Sequence, residues 1–308
     1  MKRVAVTGGA GFIGSHLVEE LASRDFHVTI VDDLSTGKKA NVERLCSDGH
    51  VDFAQESIVN LPALRKLFRG ADYVFHQAAL ASVPLSIEKP ELANEVNLTG
   101  TLNVLLAARD NGARKVVFAS SAAVYGDTPL LPNQEDMTPS PMTPYAVTKL
   151  AGEHYCRVFH EVYGVPTVCL RYFNVYGPRQ DVNSSYSAAI SKFIQLASEG
   201  KPPVIFGDGE QARDFVFVGD IVRANIMAAE SAATGVYNIG TGRSVSVNEL
   251  AEKIVSATGR RMEPVHAAPR PGDIRLSVAD ISRAKAFDYR PGTSLEEGLL
   301  KTVKSLSA

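Results

Sequence analysis

The chain has 308 residues, enough for one large or two modest domains, and a 45% hydrophobic content that can fill an ordinary globular core. Its 32 basic and 34 acidic residues are interspersed and leave a net charge of −2, so no nucleic acid partner is expected. No apolar run approaches the roughly 20 residues of a membrane span, which argues against a membrane partner. Met1-Lys2-Arg3 leads into a strand rather than a secretory leader. Cys46, Cys156 and Cys169 lack metal-ligand spacing and read as reduced thiols, so a cytoplasmic protein without a metal site is expected.

The first predicted element is a short apolar strand, Val4-Ala5-Val6, running into Thr7-Gly8-Gly9-Ala10-Gly11-Phe12-Ile13-Gly14. Ile13, Leu17 and Leu21 recur at helical spacing, so the segment reads as strand, tight turn and helix. Glycine lets such a turn take positive φ and lets a pyrophosphate approach the backbone, with the first helix amides directed at the anion. The next apolar run, Val28-Thr29-Ile30-Val31, ends on Asp32, near the offset at which a carboxylate grips a ribose hydroxyl. Asp32-Asp33 without an adjacent Arg favours NAD over NADP, because two carboxylates repel a 2′-phosphate.

Strands are predicted over 51–54, 73–76, 115–120 and 167–171, alternating with helices over 61–68, 91–110 and 143–163. That alternation predicts an α/β fold, a doubly wound parallel sheet of the Rossmann kind with ligands beyond the carboxyl ends of its strands. After Gly177-Pro178 the elements shorten: a helix over 187–199, a strand over 204–206 and a Gly207-Asp208-Gly209 turn. Strands over 214–218 and 236–239 flank a helix that Asp220 could cap, and Ser246 with Glu249 forms a capping-box pattern opening a helix through Thr258. A smaller second α/β domain follows, whose chain crosses back to the first.

Tyr145 and Lys149 stand four apart in a helical stretch, so both side chains share one face. A phenol with an ordinary pKa near 10 needs a nearby positive charge to serve as a base at neutral pH. Ser121, at the end of the strand over 115–120, could share a proton on a substrate oxygen with Tyr145.

The turn at Thr7–Gly14, Asn97, Ser121, Val124-Tyr125-Gly126, Tyr145-Ala146-Val147-Thr148-Lys149 and Arg171-Tyr172-Phe173-Asn174 resemble the extended short-chain dehydrogenases/reductases. Within that superfamily the chain is most similar to the NAD-dependent nucleotide-sugar 4-epimerases of the UDP-glucose (UDP-galactose) type. The likeness runs nearly end to end and includes Gly207-Asp208-Gly209, Arg213-Asp214-Phe215 and Arg270-Pro271-Gly272-Asp273.

The resemblance implies roles residue by residue. Tyr145 is the base and acid on the sugar 4-hydroxyl, Lys149 grips the nicotinamide ribose and tunes Tyr145, and Ser121 orients the substrate. Gly8, Gly11, Phe12, Ile13 and Gly14 hold the pyrophosphate of NAD, and Asp32 holds the adenosine ribose. Asp33, Ser35, Gly37, Ser57, Ile58, Gln77, Ala78, Ala79, Asn97, Ser120 and Tyr172 line the rest of the cofactor. On the UDP-sugar, Asn174 contacts the sugar nucleotide, Arg213 and Arg270 neutralise the phosphates, Asp273 binds the ribose and Ser277 borders the hexose. Family members often carry Asp-Ile after the third strand; Ser57-Ile58 stands there, without the charge.

The NAD-binding domain is expected over 1–174 plus about 210–243. The nucleotide-sugar domain is expected over about 175–209 plus 244–308. A homodimer is implied through the helices over 91–110 and 143–163, where Leu98, Leu102, Leu105, Leu106, Tyr155, Val158, Phe159 and Val162 supply apolar spacing. The expected activity is 4-epimerisation of UDP-glucose/UDP-galactose through a transient 4-ketone, with UDP-GlcNAc/UDP-GalNAc admitted by the small Ser277. The alternatives are a UDP-glucuronate 4-epimerase, a 4,6-dehydratase or a decarboxylating synthase on the same scaffold, or a non-catalytic NAD-sensing protein. Ala122-Ala123 weighs against a dehydratase or synthase, because a methyl group cannot move a proton where such relatives carry an acid.

Overall fold

Seven segments pair side by side; the inner ones are buried on both faces and can satisfy their backbone only against their neighbours, while one edge strand is half exposed. They are β1 (Arg3–Thr7), β2 (His27–Asp32), β3 (Val51–Gln55), β4 (Tyr73–His76), β5 (Lys115–Ser121), β6 (Thr167–Tyr172) and β11 (Gly235–Ile239). The computed structural model, which describes residues 2–47, 49–181, 189–269 and 274–307, orders them β11-β6-β5-β4-β1-β2-β3, all parallel. The chain winds outward from β1 in one direction through β2 and β3, and in the other through β4, β5 and β6. The reversal between β1 and β4 opens a crevice at their carboxyl ends.

Helices α1 (Phe12–Ser23) and α9 (Val218–Glu230) cover one face, with Leu17, Leu21, Ile221 and Ile226 in its core. Helices α3 (Leu61–Leu67), α6 (Gly100–Asp110) and α7 (Pro144–Tyr163) cover the other, through Leu64, Val104, Leu105 and Phe159. Short helices α2 (Glu43–Cys46), α4 (Val83–Glu88) and α5 (Pro90–Asn94) fill the connections. A separate core gathers Tyr176, Phe193, Phe217, Leu250, Ile254 and Leu299 between α8 (Ala189–Ser198), α10 (Val247–Ala257) and α11 (Leu295–Ser307). Three small sheets sit with it. They pair β7 (Asn174–Tyr176) with β10 (Phe215–Phe217), β8 (Val204–Phe206) with β13 (Val265–Ala267), and β9 (Ala212–Arg213) with β12 (Val245–Ser246) and β14 (Leu276–Ser277).

Three sequence expectations are corrected. The helix over 91–110 is interrupted by a π turn, Glu95–Thr99, between α5 and α6. The strand over 214–218 breaks at Asp214, whose buried carboxylate accepts from the amides of Thr241, Gly242 and Ala279 and so pins three segments together. Asp220 does not cap its own helix: it accepts from the amides of Gly292 and Thr293 and from Arg223, anchoring the approach to α11. By contrast, Ser246 caps α10 by accepting from the Glu249 amide at 3.1 Å.

Candidate active site

The glycine turn is built to lie against β4. Gly8 has φ of +69°, and a Cβ there would stand 2.6 Å from the Ala78 nitrogen. A Cβ on Gly14 would overlap the Gly8 carbonyl, so α1 can start this close to β1 only with glycine at both positions. Gly11 is the N-cap of α1 and supplies no side chain, so the first amides of α1, which begins Phe12-Ile13, meet an anion without a competing cap. Asp32 ends β2 in buried surroundings, accepting from the Ala10 amide (2.9 Å) and the Leu34 amide (2.9 Å). Burial pushes its carboxyl up, and those two hydrogen bonds pull it back. Gly37 leans on this carboxylate, where a Cβ would lie 2.6 Å from Oδ1. Asp33 turns its carboxylate onto the Ser35 amide (2.9 Å). A cradle that glycine alone can line, a helix start and a carboxylate at the next strand end fit a dinucleotide.

Tyr145, Lys149 and Ser121 meet at the carboxyl end of β5. Thr143 caps α7 by accepting from the Ala146 amide (3.2 Å), and Ser86 of α4 accepts from the Tyr145 amide (3.1 Å), so Tyr145 enters the site on a fixed first turn. Gly152 allows α7 to press onto β5, since a Cβ there would sit 2.5 Å from the Phe118 ring. One turn earlier Lys149 is buried. Its Nζ donates to the Ala119 carbonyl (2.7 Å) and stands 5.1 Å from the Phe118 ring centre and 5.8 Å from that of Tyr145. Burial drives Lys149 down to about 8, against the pull of Cys156 and Glu153. The Tyr145 phenol is pushed up by burial and drawn back by its hydrogen bond to Ser121. In the protein alone the phenol therefore lies above its ordinary value, and a further positive charge beside it is needed to make it a base at neutral pH. Ser121 also accepts from the Ala123 amide (3.2 Å), which fixes its position.

Several cofactor-lining candidates have side chains engaged in the scaffold. The Ser120 hydroxyl donates to Glu153 (2.5 Å), which holds Arg171 through two contacts of 2.8 and 2.7 Å in a buried pair. Tyr172, Gln77 and Asn225 close a triangle. Asn225 Nδ2 donates to the Tyr172 hydroxyl (2.7 Å), which donates to Gln77 Oε1 (3.2 Å), and Gln77 Nε2 donates back to Asn225 Oδ1 (3.0 Å). Asn97 lies in the π turn, its amide bracketing the Leu80 backbone at 2.7 and 3.1 Å. Ala78 and Ala79 follow β4, and the Ala78 backbone faces the glycine turn. Ser57 accepts from the Val59 amide (3.3 Å), and Ile58 is buried against Gly100. Glu153, Asn225 and Ser86 carry no local sequence signal, because their partners lie 18 to 148 residues away.

On the second side of the site, β14 runs beside β9 with Ser277 opposite Arg213. Asn174 pairs with Phe215, and its side chain reaches the Asp214 carbonyl (3.3 Å). Asn174, Arg213 and Ser277 thus gather around Asp214. Arg270 and Asp273 lie outside the described residues, as does most of the 186–190 stretch that could close the sugar pocket.

A dinucleotide cradle with Ser121, Tyr145 and Lys149 at the end of the adjoining strands defines an enzyme of the short-chain dehydrogenase/reductase type. Residues 4–240 match the NAD dependent epimerase/dehydratase family. The chain is 39% identical over 307 residues to the UDP-glucose 4-epimerase of Mycolicibacterium smegmatis, covering 98% of this chain and 97% of that one. It superposes with a TM-score of 0.96 and 44% identity on the UDP-N-acetylglucosamine 4-epimerase of Methanobrevibacter ruminantium M1, solved with UDP-N-acetylmuramic acid; 99% of this chain and 98% of that one are covered. It superposes with a TM-score of 0.90 and 40% identity on the Thermus thermophilus UDP-glucose 4-epimerase in complex with NAD, with 99% of each covered. The chain belongs to the NAD-dependent epimerase/dehydratase family, in its nucleotide-sugar epimerase branch, with NAD as cofactor.

Proposed function

We propose that the protein interconverts C4 epimers of UDP-hexoses, acting on UDP-glucose/UDP-galactose and also on UDP-GlcNAc/UDP-GalNAc. The observation that carries this reading is the Ser121–Tyr145–Lys149 cluster, followed by Ala122-Ala123 and with no acid at those two positions to move a second proton. NAD, when bound, supplies a reversible two-electron acceptor at the sugar C4. Tyr145 takes the O4 proton, holds it while C4 is a ketone, and returns it after the sugar has turned. Ser121 orients O4, and Lys149 holds positive charge beside the phenol. Arg213, Arg270 and Asp273 anchor the nucleotide so that only the hexose moves; a guanidinium suits a diphosphate through bidentate, charge-assisted hydrogen bonds. In this arrangement residues 1–174 with about 210–243 form the NAD-binding domain, whose Ser121, Tyr145 and Arg213 also face the UDP-sugar held by the remainder.

Ser277 supports the wider substrate range. It stands beside Arg213 on the adjoining strand, and its small side chain leaves room for a 2-acetamido group. Ser277→Tyr tests this: it should cut turnover of the N-acetyl pair about tenfold or more, as a steric overlap of a few kcal/mol implies, and spare the plain hexoses. Equal loss on both pairs would remove Ser277 as the gate.

The reading places the protein in the cytoplasm, as a homodimer. Val147, Val158 and Val162 lie along one side of α7 with exposures of 52%, 39% and 68%. Leu105 and Phe159 face the chain's own core instead and drop out of the proposed interface. A monomer mass in solution at micromolar concentration contradicts the dimer. Among the described residues no helix is long and apolar enough to cross a membrane.

A further inference from the structure

His76 ends β4 fully enclosed, 1% exposed, between the glycine turn and the π turn. Its Nδ1 is 2.8 Å from the Thr7 hydroxyl and its Nε2 is 2.9 Å from the Thr101 hydroxyl. The direction of these bonds follows from the neighbours. Thr101 has one hydroxyl proton, and it is given to the Asn97 carbonyl at 2.5 Å, since a carbonyl can only accept. Thr101 must therefore accept from His76, which puts a proton on Nε2. Nδ1 then has a lone pair for the Thr7 hydroxyl, and Thr7 in turn accepts from the Ala78 amide at 3.3 Å.

The same polarity continues beyond Asn97. Its Nδ2 donates to the Thr148 hydroxyl (3.1 Å), whose own proton goes to the Tyr145 carbonyl (2.8 Å). Every hydroxyl is used once as donor and once as acceptor. Burial, reinforced by the positive charge of Lys149, drives the imidazole down to about 3, which keeps it neutral and preserves that order.

We propose that His76 is a positioning residue: as the neutral Nε2–H tautomer it locks the dinucleotide turn at Thr7-Gly8 to the π turn at Asn97 and, through Thr148, to the first turn of α7 that carries Tyr145. The two ring nitrogens divide the work. Nδ1 faces the cofactor cradle, and Nε2 faces Thr101 on α6, from which Asn97 and Thr148 lead to the catalytic helix.

Two variants separate these halves. His76→Asn places an acceptor where Nδ1 stands and leaves Thr101 without its donor. His76→Gln reaches the Nε2 position and leaves Thr7 without its acceptor. His76→Asn should release NAD from the holoenzyme at nearly the wild-type rate while kcat falls about tenfold, the effect of one lost buried hydrogen bond. His76→Gln should keep most of kcat and release NAD about tenfold faster. Only the kcat arm rests on the epimerase reading; NAD release does not need a turned-over substrate. The wild-type holoenzyme gives a third readout, the ¹⁵N spectrum of the His76 ring, which should show a neutral imidazole protonated on Nε2 at neutral pH. A charged ring, an Nδ1–H tautomer, two variants with the same profile, or two variants indistinguishable from wild type would each overturn the proposal. The spectrum decides even if neither variant folds.

Discussion

Two ion pairs, one in each half of the molecule, sit in opposite surroundings. Beneath the catalytic end of the parallel sheet, Glu153 and Arg171 form an ion pair with side chains only 4% and 3% exposed, tied to Ser120 on β5. In the substrate half, Asp208 in the Gly207-Asp208-Gly209 turn pairs with Arg275 at 2.8 Å, with side chains 59% and 64% exposed. The first pair sits where water cannot replace a lost partner, and the second sits where it can. The comparison extends to the strands. Those of the parallel sheet run four to seven residues, with β4, β5 and β6 buried at nearly every position, whereas the strands of the small sheets run two or three residues. Ser121 stands at the end of a buried strand of the large sheet, whereas Arg213 and Ser277 stand on the short strands, apart from the Ser121–Tyr145–Lys149 chemistry.

The largest effect that would sharpen this contrast is on stability. Glu153→Ala should cost about 3–5 kcal/mol, because it leaves the Arg171 guanidinium buried without its carboxylate. Asp208→Ala should leave the melting temperature unchanged within error. Thermal or denaturant melts of the two variants check the pair, and comparable losses would erase the distinction between the halves.

Next in size is Tyr145→Phe. It removes the hydroxyl and keeps the ring, so turnover should fall by at least about a hundredfold, the low end of general acid–base contributions, while the melt stays close to wild type. Unchanged turnover on every nucleotide sugar would remove Tyr145 from the chemistry.

Smallest, counted per pH unit, is the effect on acid stability. His76 in the fold takes up a proton only near pH 3, whereas an unfolded histidine does so near 6.5. Between those values the unfolded state binds the extra proton, so folding stability falls as pH drops below about 6.5, by at most about 1.4 kcal/mol per unit from this group. Its contribution is fully present above pH 6.5. His76→Gln, which does not titrate, should flatten the acid limb relative to wild type; an identical slope would show that His76 is protonated in the fold.

Local patterns make the cradle and the Tyr145–Lys149 face legible in the sequence. A turn that needs glycine at Gly8 and Gly14, a carboxylate at a strand end and two side chains one helical turn apart are all written within a few residues. What stayed hidden was written across distance. The π turn at Glu95–Thr99 lies inside an unbroken helical pattern, and its polar anchor reaches from Asn97 to Leu80 and Thr148. Asp220 looked like a helix cap because its partners, Gly292 and Thr293, lie more than seventy residues on. The sequence places Tyr145 one turn from a lysine, and burial, which pushes its phenol up, is legible only in the fold. The short β9, β12 and β14 carry too few residues for a period to show; they pair through their backbones, and Asp214 at the end of β9 also ties the loops at Thr241-Gly242 and Ala279.

The central claim is that Ser121, Tyr145 and Lys149 move one hydroxyl proton at C4 with no net redox change. The most direct test incubates the purified holoenzyme with UDP-glucose, UDP-galactose, UDP-GlcNAc, UDP-GalNAc or UDP-glucuronate, following products by NMR and the bound cofactor by its absorbance. The account predicts C4 epimers of both the plain and the N-acetyl hexoses, without accumulation of NADH or of a keto product. Steady formation of NADH, a 4-keto-6-deoxy sugar or a pentose would contradict it.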